Sequence, residues 1–350
     1  MRCRIVAKLF FLLSGEHSTL PFSELKAILE AEGHEYRILG MLRQVLRVEA
    51  GVESVRSIAR RAALTRVCCI ELAFSRATMG EIFRKIRSAP LEDCITKGET
   101  FVARVRRIGE SAPEVETLDL EQKIGAAILD KVKGTKVSLT NPSKTFFGVL
   151  TGDRFVFGLK LAEVHAKPFV DRRPRKRPFF HPSAMPAKLA RCMINLGQPR
   201  AGDIVLDPFC GTGSFLIEAG LINCRVVGFD VKRRMVKGSL RNLRHYGIGT
   251  EGLLMGDARC PPINRVDCIV TDPPYGRSAT TMGREVGEVV RDFLSAAKSC
   301  LPKGKRICMA SPKSVKIGRT SEELGFKLAE SHSVYVHRSL TREVAVLERT

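Results

Sequence analysis

The chain opens on an apolar stretch, Ile5–Leu13, interrupted by Lys8 and followed by Thr19 and Pro21. Phe22, Leu25, Ile28 and Leu29 then recur at helical spacing up to Gly33, so residues 1–60 read as strand, helix, strand. Met-Arg-Cys-Arg ahead of the stretch resembles the start of a secretion signal. No small-residue cleavage site follows, however, and a first β-strand is the better reading. Residues 60–165 form a second block. Ile82, Phe83 and Ile86 mark a short amphipathic helix. Ile124, Ile128, Leu129 and Val132 mark another, closed by Gly134. Phe101–Ile108 reads as a strand. Val137–Leu139, Phe146–Leu150 and Phe155–Leu161 read as strands separated by Asn141-Pro142 and Thr151-Gly152-Asp153 turns. Few-stranded α+β packing is expected here.

Residues 166–182 break the periodicity. Four prolines in this span exclude a long helix or a central strand, and the stretch reads as a semi-rigid linker. From about residue 186, strands and helices alternate. Ile204–Leu206, Val226–Phe229, Leu253–Met255, Cys268–Val270 and Arg306–Ala310 are strands. Ser214–Leu221, Lys232–Tyr246 and Glu285–Leu301 are helices, and Val334–Val336 and Val344–Leu347 are final strands. Such alternation with short apolar runs predicts an α/β fold with a doubly wound, mainly parallel sheet.

Composition adds a partner to this picture. A chain of 350 residues, 44% hydrophobic and 27% charged, has room for two or three domains and excludes a disordered protein. Its net charge of +21 points to a polyanion, either nucleic acid or an anionic membrane. The excess is concentrated. Residues 166–182 hold six basic groups and one acid, and Lys232–Arg244 holds six basic groups and none. No apolar run approaches the roughly 18–20 residues of a membrane span. The 11 cysteines are scattered without zinc spacing, so no metal is expected, and reduced thiols suit a cytoplasmic protein.

Two constellations carry chemistry. Asp207-Pro208-Phe209-Cys210-Gly211-Thr212-Gly213 lies between a strand and a helix, where glycines permit a tight turn and close approach to a ligand. The glycines of this loop do not follow the dinucleotide pattern Gly-x-Gly-x-x-Gly, and no Gly-Lys-Ser/Thr of a Walker loop follows them. Asp230 ends the next strand, 19 residues beyond Gly211, close to the offset of a ribose-gripping acid. Asp257 follows the third strand. Carboxylates at the ends of successive parallel strands converge on the crevice where such sheets bind ligands. The second constellation, Asp272-Pro273-Pro274-Tyr275, ends the fourth strand. A nucleobase amine is a poor nucleophile because its lone pair is delocalised into the ring. An Asp272 carboxylate and a Pro273 carbonyl can accept its two N–H groups and favour the pyramidal form. Tyr275 offers a ring for an extruded base.

These strings resemble the class I S-adenosylmethionine-dependent methyltransferases that modify amino groups, over residues 183–350. Residues 1–60 and 61–165 resemble a ferredoxin-like region and a THUMP domain, the latter found in tRNA-modifying enzymes. Asp171–Pro182 and His337–Glu343 resemble the junction and the C-terminal signature of the archaeal tRNA guanine-N2-methyltransferases acting on guanosine 10. The resemblance implies S-adenosylmethionine beside Phe180, His181 and Pro182. Asp207, Phe209, Gly211 and Gly213 would hold its methionine part, Asp230 its ribose, and Asp257 and Ala258 its adenine. Asp272, Pro273 and Tyr275 would hold the guanine. It also implies a tRNA partner and a monomer acting without metal or membrane.

The basic span 166–182 then has a task. Arg172, Arg173, Arg175, Lys176 and Arg177 are expected to contact tRNA phosphates. Arg104, Arg106 and Arg107 are a weaker case, since alternating charge usually marks a strand's wet face. Three other readings stay open at this point: guanosine 6 of tRNA as target, an adenine amino-methyltransferase on DNA or rRNA, and a tRNA-binding protein without catalysis. A guanosine 6 enzyme usually carries Asn where Asp272 stands.

Overall fold

A computed structural model of the chain describes residues 5–274, 285–337 and 340–350. It divides into two compact units. The first comprises residues up to 18, Gly33–Arg60 and Thr65–Val164. The second comprises Thr19–Glu32, Arg61–Leu64 and His165–Thr350. In chain order the front of the molecule is β1 (Val6–Leu13), α1 (Leu20–Ala31), β2 (Tyr36–Leu42), β3 (Val45–Gly51), α2 (Ser54–Arg61) and β4 (Thr65–Arg76). There follow α3 (Met79–Arg87), β5 (Thr100–Ile108), α4 (Thr117–Lys131), β6 (Lys136–Val137), β7 (Lys144–Thr151) and β8 (Arg154–Glu163).

The first unit is built on one eight-stranded sheet, ordered β2-β3-β1-β4-β8-β7-β5-β6. It runs unbroken across residue 60, because β4 pairs antiparallel with both β1 and β8. The strand expected after the first helix is a β2–β3 hairpin. Helices α3 and α4 cover one face. Ile82 and Ile86 of α3 and Leu120, Ile124 and Ile128 of α4 meet Phe101, Phe146 and Phe157 there. The α4 start is fixed by Glu116, whose carboxylate accepts the backbone N–H groups of Leu118 and Asp119. Arg107 is not simply on a wet face. Its guanidinium donates to the carbonyls of Ser111, Ala112 and Val115 and ties down that loop.

The second unit continues with α5 (Lys167–Asp171), α6 (Ala187–Leu196), β9 (Ile204–Asp207), α7 (Ser214–Gly220), β10 (Arg225–Asp230), α8 (Arg233–His245), β11 (Gly252–Met255) and β12 (Cys268–Thr271). It ends with α9 (Val286–Ala297), β13 (Arg306–Pro312), α10 (Ile317–Glu323), β14 (Phe326–His337) and β15 (Leu340–Arg349). The seven strands are ordered β11-β10-β9-β12-β13-β15-β14. The first five are parallel, and β15 enters antiparallel between β13 and β14. This is the doubly wound sheet expected, with an antiparallel hairpin at one side.

Alternation along each strand separates two cores. Val205, Val226, Val270 and Cys308 face a layer containing Met193, Ile194, Leu216 and Ile217. Leu206, Val227, Ile269 and Ile307 face Phe293 and Leu294 of α9 on the other side. Helix α1 belongs to the first layer: Leu20 and Ala27 pack there with Ala63 and Leu64. Buried Glu24 accepts the backbone N–H groups of Ala63 and Leu64 at 2.9 and 2.8 Å and the Asn195 amide at 2.9 Å. Asn195 in turn accepts from Arg61 and donates to its carbonyl.

Candidate active site

The parallel order places the ends of β11, β10, β9 and β12 side by side. Asp257, Asp230, Asp207 and Asp272 therefore stand along one rim, as their strand-end spacing predicts. Asp207 is almost fully buried. Its Oδ1 accepts the Thr271 hydroxyl at 2.7 Å and the Phe209 N–H at 3.2 Å. Burial pushes its carboxyl up to about 7. The hydrogen bonds from Thr271 and Phe209 resist that rise, and the nearby charges of Asp230 and Asp272 add to it.

The loop after β9 is shaped by its backbone. Gly211 and Gly213 have φ of +49° and +80°, in the left-handed region. A Cβ on Gly213 would sit 2.4 Å from the Ser239 hydroxyl, so the loop lies directly on α8. Gly211 N–H donates to Asp230 Oδ2 at 3.1 Å, and Lys232 N–H donates to Oδ1 at 2.8 Å. These two bonds hold the Asp230 carboxylate across the loop. Burial raises its carboxyl, while the backbone donors, Lys232 and the charge of His181 oppose the rise. Phe209 is braced edge-on against Phe293, with ring centroids 5.7 Å apart.

Asp257 is gripped by Arg259, whose Nε lies 3.0 Å from both carboxylate oxygens and whose Nη2 lies 2.5 Å from Oδ2. Ala258 is buried in the α9-side core. Apolar side chains left open beside these acids include Val231 and Met255, which are 42% and 56% exposed. Asp272 and Pro273 follow Thr271 directly, with Pro273 buried. Tyr275 lies outside the described residues.

The span 166–182, read as a linker, is folded onto this unit. Phe169 is buried, and Arg172 lies over its ring at 4.8 Å. Arg172 forks onto Glu218 of α7 at 2.8 and 3.1 Å, and Arg191 joins the same carboxylate at 2.9 Å. Arg177 is buried and donates to Ser214 at 2.6 Å and to the Arg172 carbonyl at 3.1 Å. Two of the five expected phosphate contacts are thus turned inward: Arg172 is forked onto a buried carboxylate, and Arg177 is itself buried. Arg173, Arg175 and Lys176 face solvent, with Lys176 paired to Asp171 at 3.0 Å.

Phe180, His181 and Pro182 continue this span. Phe180 is 40% exposed, with Arg175 over its ring at 5.8 Å. His181 lies 2.7 Å from the Ser183 hydroxyl and close enough to Asp230 to act on its charge. Pro182 sits in the turn closed by Ala184 N–H on the His181 carbonyl.

Two site residues escaped the sequence reading. Asn242, buried on α8, accepts the Phe179 N–H and donates to the carbonyls of Phe179 and Thr212, each at 2.9 Å. It clamps the 166–182 span and the glycine loop to one helix; a polar residue on the apolar stripe of α8 was its only signal. Arg342 of β15 places Nη2 3.4 Å from Asp272 Oδ2. Its signal was the C-terminal string, which carried no assigned role.

Among the described residues no cluster of His, Cys, Asp or Glu could hold a metal, and no helix is long and apolar enough to cross a membrane. Residues 174–343 match the family model of the RMKL-like methyltransferase domain, and residues 76–159 match the THUMP domain. A tRNA (guanine(10)-N2)-dimethyltransferase from Methanothermobacter thermautotrophicus is 38% identical over 98% of this chain and 99% of its own length. Among solved structures, TrmN from Thermus thermophilus superposes with a TM-score of 0.55 at 20% identity, covering 98% of this chain and all of the other. A putative methyltransferase complexed with SAH gives 0.55 at 14% identity over 99% and 98%. Both share the class I methyltransferase fold seen here. With a THUMP domain ahead of this catalytic sheet, the chain belongs to the family of the tRNA (guanine(10)-N2)-dimethyltransferases.

Proposed function

We propose that this protein methylates the exocyclic N2 of guanosine 10 in tRNA, using S-adenosylmethionine, in the cytoplasm and as a monomer. The observation that carries the chemistry is the placement of Asp272 and Pro273 at the end of β12, next to the strand that ends in Asp207. The residues fit the cofactor. A buried acid, Asp207, suits a cationic amino-acid end. Asp230, fixed by two backbone donors, suits vicinal hydroxyls. Open Val231 and Met255 beside Asp257 suit a purine. Phe180, His181, Pro182, Phe209, Gly211, Gly213 and Ala258 border the same region. When bound, the cofactor supplies an electron-poor methyl group, which the amine's lone pair takes as the carbon–sulfur bond breaks.

The chain's own groups prepare the amine. Asp272 and the Pro273 carbonyl accept its N–H groups, draw the nitrogen out of conjugation and aim its lone pair. The methylated nitrogen is cationic and strongly acidic, so the Asp272 carboxylate can receive its proton despite being a weak base. Tyr275 is assigned to stacking on the guanine.

Exposed Arg173, Arg175 and Lys176 belong to the span whose Phe179 packs on α8. Arg234 of α8 stands 5.9 Å over the Phe179 ring, which itself rests on Gly238. Lys232, Arg233, Arg234, Lys237, Arg241 and Arg244 are all exposed. Together they form a basic face suited to the tRNA backbone.

The test is a nucleoside digest of unmodified tRNA after incubation with labelled cofactor, with the position mapped. Methylated N2 of guanosine 10 is expected, and Asp272→Ala should abolish it while tRNA and cofactor still bind. Label on adenine, or at guanosine 6, would overturn the assignment.

A further inference from the structure

The strand that crosses the parallel sheet the wrong way brings a cation to the rim. Because β15 runs antiparallel, its first residues lie beside the last residues of β13: Arg342 pairs with Pro312 on one side and with Val334 of β14 on the other. This is the rim where Asp207, Asp230 and Asp272 end their strands. Parallel strands deliver their C-terminal residues to that rim, and an incoming antiparallel strand delivers its N-terminal ones. Arg342 is thus close to Asp272 although 70 positions separate them in the chain.

The contact is of a particular kind. Nη2 stands 3.4 Å from Asp272 Oδ2, with the two side chains 13% and 15% exposed. Nη1 points at the Met185 sulfur at 3.6 Å. A charge-assisted hydrogen bond measures about 2.7–2.9 Å. At 3.4 Å the guanidinium acts on the carboxylate mainly through its charge. Facing Asp272 among the described residues are Arg342 from β15 and Asp207 from β9. Asp230 of β10 stands beyond Asp207, with His181 beside it. Three carboxylates gathered on one rim compete for protons, and the proton goes to the one without a cation.

We propose that Arg342 is a positioning residue that keeps Asp272 ionised and aimed at the substrate amine, so that Asp272 works as a fixed anionic acceptor over the whole working pH range. This rests on the proposed amino-methyltransferase reading and deepens it. Asp207, without such a partner, is the acid of the cluster that holds a proton near neutrality, in keeping with its raised carboxyl. The rim therefore has a division of labour: a proton-holding acid on the cofactor side and, on the amine side, one that meets the substrate ionised.

The experiment compares Arg342→Gln and Arg342→Lys with the unaltered enzyme at saturating cofactor, so that Asp207 does not enter the profile. For the unaltered enzyme kcat should be flat at acid pH. Arg342→Gln should lose roughly 100-fold in kcat and gain an acid limb between about pH 5 and 7. Arg342→Lys should recover most of the rate and the flat profile. Cofactor affinity should be unchanged in both. A second readout does not depend on turnover. In protein carrying 13C-labelled aspartate carboxyls, the Asp272 resonance, identified by its loss in Asp272→Asn, should titrate at higher pH in Arg342→Gln than in the unaltered protein. An unchanged titration and an unchanged pH profile would overturn the proposal. So would equal losses in Gln and Lys variants accompanied by a fallen Tm, which would make Arg342 a packing residue. If the enzyme methylates a different amine, the proposed substrate fails, while the Arg342 comparison is read on that amine all the same.

Discussion

Thr271 donates its hydroxyl hydrogen to Asp207 Oδ1 at 2.7 Å, joining the last residue of β12 to the last residue of β9 inside the sheet. Thr271 also immediately precedes Asp272. One hydroxyl thus links the acid proposed for the cofactor to the acid proposed for the base, and it favours the charged form of a carboxyl that burial pushes up to about 7.

The folded Asp207 carboxyl titrates at about 7, against 3.8 for the free group. Between those values the folded state binds the extra proton, so this residue's contribution to stability falls as pH rises from about 4 to 7. Asp207→Asn should therefore be more stable than the unaltered protein at pH 8, by about 4 kcal/mol at most, with the gain vanishing near pH 4. The same variant should lose cofactor binding. For the unaltered protein, affinity measured calorimetrically should weaken as pH drops below about 7, by up to roughly tenfold per unit.

Thr271→Val removes the donor and keeps the shape. The midpoint of that affinity profile should move to higher pH, since the carboxylate loses a hydrogen bond that favours its charged form. A profile identical to that of the unaltered protein would show that the bond does not tune Asp207.

Glu218 is completely buried and holds two guanidiniums, those of Arg172 and Arg191. Glu218→Ala leaves both without their counter-ion and should cost about 3–5 kcal/mol in denaturant unfolding. Arg172→Gln should likewise lower stability while leaving the salt dependence of tRNA binding alone.

Arg173, Arg175 and the α8 cations should behave oppositely. Replacing Arg173, Arg175, Lys237 and Arg241 with Gln should leave Tm nearly unchanged and weaken tRNA binding. The slope of log affinity against log salt should flatten by roughly 0.7–0.9 per lost phosphate contact. Slopes that coincide would show that this face does not touch the backbone.

Asn242→Ala deletes three hydrogen bonds between α8, the Phe179 segment and the glycine loop. Buried donors and acceptors left open cost about 1–3 kcal/mol each. Reduced Tm should come with weaker cofactor binding, since the loop loses its anchor; a drop in Tm alone would make Asn242 purely structural.

Local chemistry was readable from the chain. The strand-end acids, the glycine loop and the Asp-Pro-Pro string each sit within a few residues of a short apolar run, so periodicity placed them. Features made by distant residues were not. Arg342 meets Asp272 only through an antiparallel insertion that no local pattern encodes. In β14, only Val334–Val336 read as strand, because Lys327, Glu330, Ser331 and Ser333 hide the rest of an edge strand. The prolines of 166–182 correctly excluded long regular structure, but composition could not show that Phe169 is buried and that Arg172 and Arg177 are bonded to α7.

The division of α1 from the strands around it has a practical meaning. A fragment beginning near residue 165 would contain every strand of the catalytic sheet and still be incomplete. Asn195 would lose Glu24 and Arg61, and the face of α6 that meets Leu20, Ala27, Ala63 and Leu64 would be open to water. The chain crosses between the two units more than once, so one cannot be swapped for a foreign recognition module by a single cut. A transplant of this catalytic unit has to carry residues 19–32 and 61–64 with it.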